Sequence, residues 1–469
     1  MIKLSLTDIA KQLNGTLEGD DLIITHVSTD TRDIVAGSLF IALVGPNFNG
    51  HVFANEARQK GAVAIVASEP VDAHLPVIMV ADTKAALGTL GAFVKERVAP
   101  KTVGITGSSG KTTVKEMVTA ILQESGSVLS TQGNFNNDIG VPLTLLRLEE
   151  QHEYAVIEMG ANHLGEIAYT TGLVKPDVAT IVNAAASHLE GFGSLFGVAR
   201  AKSEIFKGLA KDGTAILNYD SQFYDFWLGK LDNEFIYSFS LDTPAGAGAD
   251  YTASQVGLAF NGCAHFIMQT PMGEMNIELT IPGMHNVSNA LLAAGLAINV
   301  GASLENVRDG LSKMQHVKGR LDVKQLSEQV RLLDDSYNAN VASVTAAIKL
   351  LSSYQGRRVL VLGDMAELGD KAKHYHEEVG ALAKNEGIDI LYTLGQLSQS
   401  ASEVYGQAGQ HFHDIDLLIE ELYQELTPLH DDITILVKGS RSSRMDRVVT
   451  ALEGSPVGKL DRSRKLIAC

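Results

Sequence analysis

One stretch limits what this chain can fold into more than any other: Thr106-Gly107-Ser108-Ser109-Gly110-Lys111-Thr112-Thr113, preceded by the apolar run Val103-Gly104-Ile105 and followed by an amphipathic segment from Val114 to about Leu122. The order predicts a strand, a glycine turn and a helix. Glycines let the backbone turn tightly enough for its N–H groups to converge on phosphate oxygens, and the helix behind offers its positive end to the same anion. Lys111 then supplies charge for the outer phosphates and Thr112 a hydroxyl for Mg²⁺. The first glycine is one place off the strict spacing, because Gly104 lies six residues before Gly110 and Ile105 holds the usual position. A glycine-rich turn with an incidental Gly-Lys-Thr is the competing reading; the flanking strand and helix favour an ATP site.

The rest of the chain must build a sheet around that turn. Its 469 residues suffice for about three domains, and 45% apolar residues supply their cores. A net charge of −17, from 38 basic and 55 acidic residues, argues against nucleic acid or an anionic membrane surface as partner. Only two cysteines occur, Cys263 and Cys469, which gives no disulfide or zinc framework and suits a reducing cytosol. No apolar run approaches the roughly 20 residues that span a bilayer. A soluble cytoplasmic protein, not inserted in a membrane, is expected.

Residues 1–100 alternate short strands and helices: Ser5 to Leu13 helical, Ser38 to Leu43 extended, His51 to Lys60 helical and Ala62 to Ala67 extended. Two polar stretches punctuate this small α/β domain: Ser28-Thr29-Asp30-Thr31-Arg32, and the segment ending in Phe48-Asn49-Gly50-His51. Taken alone they read as ordinary turns before they read as a site.

Residues 101–316 carry longer strand–helix units. Tyr154 to Glu158 reads as a buried strand ending on a carboxylate, and Val178 to Val182 as another leading to His188. Ligands of open parallel sheets sit beyond the carboxyl ends of strands, which places Glu158 and His188 near a nucleotide and its metal. A surface carboxylate and a core histidine are the plain alternatives. From Ser194 to Leu209, Val198, Lys202, Ile205 and Leu209 share one helical face, so Lys202 lies on an apolar stripe. Buried there, its pKa falls and its amine becomes nucleophilic; snorkelling to solvent is the competing reading. His285 and Asn289, four apart before an apolar helix from Ala290 to Val300, either share a face toward a base or form a polar helix start.

Residues 317–454 alternate strand candidates (Arg331 to Asp335, Arg358 to Leu362, Ile390 to Leu394, Ile433 to Val437) with helices, as in a doubly wound α/β domain. Polar clusters follow the strand ends: Asp334-Asp335-Ser336-Tyr337-Asn338-Ala339-Asn340, Gly363-Asp364-Met365-Ala366-Glu367-Leu368-Gly369 and Lys438-Gly439-Ser440-Arg441. Residues 455–469 lack periodicity and are expected to form a flexible tail.

In their order, the phosphate loop, Glu158-Met159-Gly160, Ala201-Lys202-Ser203-Glu204, His285-Asn286-Val287-Ser288-Asn289 and Asp335-Ser336-Tyr337-Asn338-Ala339-Asn340 resemble the motifs of the Mur ligase family over nearly the whole chain. The resemblance implies three α/β domains: a small N-terminal domain for a UDP-sugar-peptide, a central P-loop-type ATPase domain with a mostly parallel sheet, and a C-terminal Rossmann-like doubly wound domain. The third-domain clusters, with His376 downstream, imply the branch whose small-molecule substrates are UDP-N-acetylmuramoyl-tripeptide and D-alanyl-D-alanine. The activity implied is ATP-dependent amide ligation through an acyl phosphate, acting as a monomer.

Carried over residue by residue, the resemblance implies that Thr106 to Thr113, Lys111 above all, bind the ATP phosphates. Thr112 and Glu158 would hold one Mg²⁺ and His188 a second, with Lys202 carbamylated to become an anionic metal ligand. His285 and Asn289 resemble adenine contacts, while Arg320 and Asp335 reach phosphate and ribose. Ser28, Thr29, Asp30, Thr31 and Arg32, with Asn49, Gly50 and His51, resemble the sugar-nucleotide site; Asn136, Asn338 and Lys438 are further substrate candidates. Asn49 stands where the family has Asp, Val341 where it has Pro, and Asp446 where it has Glu. Closure of the third domain over ATP is expected, from an open form. Two rivals stay in view: another ATP-dependent ligase, such as a folylpolyglutamate synthase or a ligase adding one amino acid, and a nucleotide-switched binding protein.

Overall fold

The computed structural model describes residues 1–232, 235–244, 246–314, 318–426 and 432–454. The expected tail at 455–469 and the expected boundary at 316/317 lie outside the described residues.

The first sheet has five strands, in the order Thr16–Glu18, Val77–Met79, Ala62–Ala67, Ser38–Ile41, His26–Ser28, all parallel except the first. Ser38–Ile41 is buried throughout, as a parallel strand covered on both faces must be. Helix Thr83–Val98 starts on Asp82, whose carboxylate accepts the N–H groups of Lys84 and Ala85 at 2.8 and 3.0 Å, and ends on left-handed Ala99 before Pro100. It packs on helix Gly140–Leu145, so one apolar core runs from Leu4 through Leu90 to Ile157 and Trp227.

The central sheet has nine strands, in the order Val128–Ser130, Tyr154–Glu158, Lys101–Thr106, Val178–Ile181, Thr214–Asn218, Phe235–Ser240, Tyr251–Leu258, Cys263–Thr270, Gly273–Pro282. The first seven are parallel and the last two antiparallel. Lys101–Thr106 pairs on one side with Tyr154–Glu158 and on the other with Val178–Ile181, which puts the glycine turn where the winding reverses, at the sheet's natural ligand crevice. Helices Lys111–Gln123, His285–Ile298 and Leu304–Lys313 bury their apolar faces together beneath it.

The third sheet has six strands, in the order Asp322–Gln325, Val330–Asp335, Ile433–Lys438, Arg357–Gly363, Ile390–Leu394, Gly409–Phe412, parallel after the first. Helices Val341–Ser352 and Ala372–Asn385 cover one face, Ile415–Leu426 and Asp446–Glu453 the other. The expected open form is not the one described. The third domain is docked on the second: Asn340 Nδ2 donates to Ser108 O at 3.3 Å, the N–H of Leu189 to Glu367 O at 2.9 Å, and Tyr354 O–H to Asn261 O at 3.1 Å. Among the described residues no helix is long and apolar enough to cross a membrane.

Candidate active site

The glycine turn is held from its own helix and from the next strand. Gly110 has φ +75°, the left-handed region, and a Cβ there would lie 3.2 Å from Asn289 Oδ1. Ser108 Oγ accepts the N–H of Ala185 at 3.0 Å, and Asn183 Oδ1 accepts the N–H of Ser109 at 3.0 Å. Lys111 folds back over the turn, its Nζ donating to Gly107 O at 2.7 Å. Burial holds its pKa below the usual lysine range, against the opposing pull of Glu158 and with the support of Arg320.

Beside the loop, Glu158 ends its strand almost wholly buried, at 2% exposure, so every oxygen needs a donor. Thr112 Oγ1 donates to Oε2 at 2.9 Å and Asn136 Nδ2 to Oε1 at 2.8 Å. The N–H of Glu158 donates to Thr131 Oγ1 at 3.0 Å. Thr131 is tethered in turn by buried Lys115, whose Nζ donates to Thr131 O at 2.7 Å and to Glu116 Oε1 at 2.5 Å.

Lys202, the last residue of helix Leu195–Lys202, is 1% exposed, which decides between burial and snorkelling in favour of burial. Its pKa lies well below the usual value, first through burial and then through Lys111, and among the described residues no carboxylate pairs with it. His188 adopts a left-handed backbone at φ +52° and meets Glu367 of the third domain in an ion-pair contact. His285 is pushed down to about 4 by burial, with Lys438 adding to the effect. Asn289 Nδ2 donates to Asn286 Oδ1 at 2.9 Å.

From the third domain, Arg320 stacks its guanidinium 4.5 Å above the Tyr337 ring. Lys438 is buried and donates to Asp335 Oδ2 at 2.5 Å and to Asn338 O at 3.0 Å. Residues from both domains line one cavity of about 620 Å³: Ser108 to Thr113, Asn136, Glu158, His188, Lys202, His285, Asn289, Arg320, Asp335, Asn338 and Lys438. Thr106 and Gly107 stand behind the lining.

The N-terminal candidates are not brought to this cleft. Their polar groups knit their own loops. Arg32 pairs with Asp30 at 2.5 Å and holds its carboxyl down at about 2, Ser28 Oγ donates to Asp30 O at 2.8 Å, and Thr31 Oγ1 donates to Glu56 at 2.8 Å. Asn49 Oδ1 accepts the N–H of His51 at 3.0 Å, while buried His51 accepts the N–H of Ser68 on Nε2 at 2.9 Å. Gly50 is required where it stands, since a Cβ would lie 2.6 Å from Leu43 O. Thr29 is half-buried in the same loop.

Sequence reasoning missed Lys115 and Thr131, and it quoted Glu367 as one member of a polar cluster after a strand end without giving it a role. A signal for Lys115 existed, because it shares a helical face with the apolar Val118 and Leu122. Within that cluster nothing local singled out Glu367, whose partner lies in another domain.

A phosphate loop at the reversal point of a parallel sheet, faced by cations from a second α/β domain, defines a nucleotide-dependent enzyme of multidomain α/β type. Three family descriptions match the chain: "Mur ligase family, catalytic domain" at residues 23–95, "Mur ligase middle domain" at 105–297 and "Mur ligase, glutamate ligase domain" at 319–441. The chain is 48% identical over 453 residues to the UDP-N-acetylmuramoyl-tripeptide–D-alanyl-D-alanine ligase of Escherichia coli (strain K12), covering 97% of this chain and 99% of the relative. A crystal structure of MurF from Acinetobacter baumannii superposes with a TM-score of 0.91 at 35% identity, covering 97% of this chain and 100% of that one. MurF ligase from Thermotoga maritima, solved in complex with ADP, superposes with a TM-score of 0.80 at 26% identity, over 92% of this chain and 97% of the other. The chain belongs to the Mur ligase family.

Proposed function

We propose that this chain joins D-alanyl-D-alanine to UDP-N-acetylmuramoyl-tripeptide with ATP, completing a cytoplasmic peptidoglycan precursor and releasing ADP and phosphate. One observation carries the reading: in a chain with such relatives, the phosphate loop, Glu158, Lys202, His188 and Arg320 converge on a single cleft. A carboxylate is a poor electrophile, so the tripeptide's terminal carboxylate is first phosphorylated by ATP. The amine of the dipeptide attacks the acyl phosphate, and the tetrahedral intermediate collapses to amide and phosphate.

In this reading Lys111 and the N–H groups of the loop hold the phosphates, and Arg320 meets the transferring group from above. His285 and Asn289 face the adenine; Asp335, held by Lys438, faces the ribose. Catalysis is positioning and electrostatics. The donor set suits Mg²⁺: a hydroxyl and a carboxylate already in contact at Thr112 and Glu158, with His188 nearby on the same cleft. Among the described residues no group of three or more His, Cys, Asp or Glu could hold a metal alone, so the reading needs Thr112 and a modified Lys202. Two Mg²⁺ ions, when bound, would neutralise charge spread over the phosphates. Burial lowers the Lys202 pKa and so favours the neutral amine, the form that adds to CO₂ with loss of a proton to give a carbamate where a metal ligand is lacking.

Phosphate release tests the proposal. Turnover is expected only when UDP-N-acetylmuramoyl-tripeptide and D-alanyl-D-alanine are both present. Turnover with neither would point to a nucleotide switch, and turnover with a single amino acid in place of the dipeptide to another ligase; either overturns the reading.

A further inference from the structure

The loop Gly363-Asp364-Met365-Ala366-Glu367-Leu368-Gly369 lines no part of the cleft, yet it is braced more firmly than a connecting loop requires. The Asp364 carboxylate accepts the N–H groups of Gln396, Leu397 and Ser398 at 3.0, 3.1 and 2.8 Å. The N–H of Met365 donates to Nε2 of fully buried His376 at 2.9 Å, and His376 Nδ1 donates to Ala372 O at 2.7 Å. Met365 and Leu368 are buried. What this brace presents to the central domain is Glu367.

Glu367 has φ +62° and His188 φ +52°, so two non-glycine residues in the left-handed region face each other across the domain boundary. Their backbones are joined, since the N–H of Leu189 donates to Glu367 O at 2.9 Å. Their side chains also meet, Glu367 Oε2 against His188 Nδ1. That nitrogen is buried, and among the described residues it has no other polar partner. The contact is close but lies off the line of a hydrogen bond.

We infer that Glu367 is the positioning residue for His188. Its carboxylate accepts a hydrogen bond from Nδ1–H, which fixes the tautomer and leaves the Nε2 lone pair for the cleft that His188 lines. The inference rests on the reading of His188 as a metal ligand. Because the two residues belong to different domains, docking of the third domain is what makes the histidine an ordered ligand. Closure and uptake of the second ion are then one event.

The test uses the full chain and its Glu367→Ala and Glu367→Gln variants, folded by circular dichroism. Imidazole ¹⁵N shifts of the metal-free protein saturated with a non-hydrolysable ATP analogue, with His188 assigned through His188→Gln, should show the Nδ1–H tautomer in the parent and its loss in Glu367→Ala. Mn²⁺ titration followed by electron paramagnetic resonance, with a non-hydrolysable ATP analogue, should show the weaker ion losing about 10- to 100-fold in affinity and the tighter ion unchanged. An unchanged tautomer in both variants overturns the inference. So does an equal loss at both ions, which would make Glu367 a general closure contact. A parent that binds one Mn²⁺ but keeps the Glu367-dependent tautomer upholds the positioning and removes the metal reading of His188.

Discussion

Lys115→Met changes a buried side chain that never reaches the cleft, and its effect is expected at Glu158. Methionine fills the volume but donates nothing. The Thr131 carbonyl, in a residue with no exposed surface, then loses its donor at 2.7 Å, and an orphaned buried carbonyl costs about 1–3 kcal/mol. Glu116 loses its cation too, but a third of it is exposed, so water replaces the partner and the loss there is about 0–1 kcal/mol. Relief of the lysine's desolvation offsets part of this, leaving a net cost of about 2 kcal/mol. For a cooperative unit of the central domain's size, that lowers the melting temperature by roughly 4–8 °C. Thr131 also accepts the N–H of Glu158, so its displacement loosens a carboxylate required in place; an error worth about 1.4 kcal/mol in the transition state is tenfold in kcat. Differential scanning calorimetry reads the first quantity and phosphate release the second, with metal-free nucleotide affinity as the control expected to stay constant. Lys115→Arg should recover part of both. A Lys115→Met protein with parental melting temperature and kcat would refute the tether from Lys115 through Thr131 to Glu158.

Lys202→Ala should abolish phosphate release and regain part of it with added small carboxylates that refill an anionic position; without any recovery the carbamate has no support. His285 titrates near 4 when folded and near 6.5 when not, so the unfolded chain binds its proton first: this stability is whole above pH 6.5 and drains away as pH falls toward 4. His285→Gln should therefore flatten the acid limb of stability against pH, and an equally steep limb in the variant would refute the burial argument. In Gly310→Ala the new Cβ would lie 2.5 Å from Ile121 Cα and 2.6 Å from its N, backbone that cannot yield cheaply, so a loss of about 1–3 kcal/mol is expected in thermal unfolding; an unshifted transition would show that the two helices can part at no cost. Small-angle scattering with and without nucleotide should show contraction on binding, and an unchanged envelope would count against closure.

The parallel strands around the phosphate loop were legible because a strand buried on both faces is a continuous apolar run. Tyr154–Glu158 and Ile390–Leu394 have the expected limits. The antiparallel edge of the central sheet was not read, although Met275, Ile277, Leu279 and Ile281 alternate in Gly273–Pro282 with polar neighbours, the mark of a strand wet on one side. The long helical reading from Ser194 to Leu209 breaks at Lys202 into a 3₁₀ segment, Ser203–Gly208, while its register still buries Lys202. Likewise His51 to Lys60 divides into a 3₁₀ turn, Gly50–Phe53, and helix Ala54–Gln59. Within the cleft, groups tied to strand ends were found from spacing alone. Groups that act by reaching across the chain were not, since Lys115 touches Thr131 and Glu367 touches His188 only after folding.

The two domain junctions differ in kind, and the difference says which part moves. Between the first and central domains the junction has an apolar core, with polar contacts such as Lys84–Asp138 beside it: helix Thr83–Val98 lies so near helix Gly140–Leu145 that a Cβ on Gly91 would stand 3.0 Å from Pro142 O, and one core spans both. Parting them would expose that core at roughly 25 cal/mol for each Å². Between the central and third domains the contacts are mostly polar: hydrogen bonds, one histidine–carboxylate pair and the Arg331 guanidinium 5.7 Å from the Phe260 ring, with half-buried Ala186 the apolar residue that packs on a third-domain core whose buried members all come from residues 321–452. Water can replace such contacts at little net cost. The third domain is therefore the part that leaves, taking Arg320, Asp335 and Lys438 with it, while Lys111, Thr112, Glu158 and Lys202 remain on the central sheet. In the proposed reaction a long sugar-nucleotide peptide can then stay anchored on the fixed pair of domains, and only the half of the site that stabilises the transferring phosphate has to arrive.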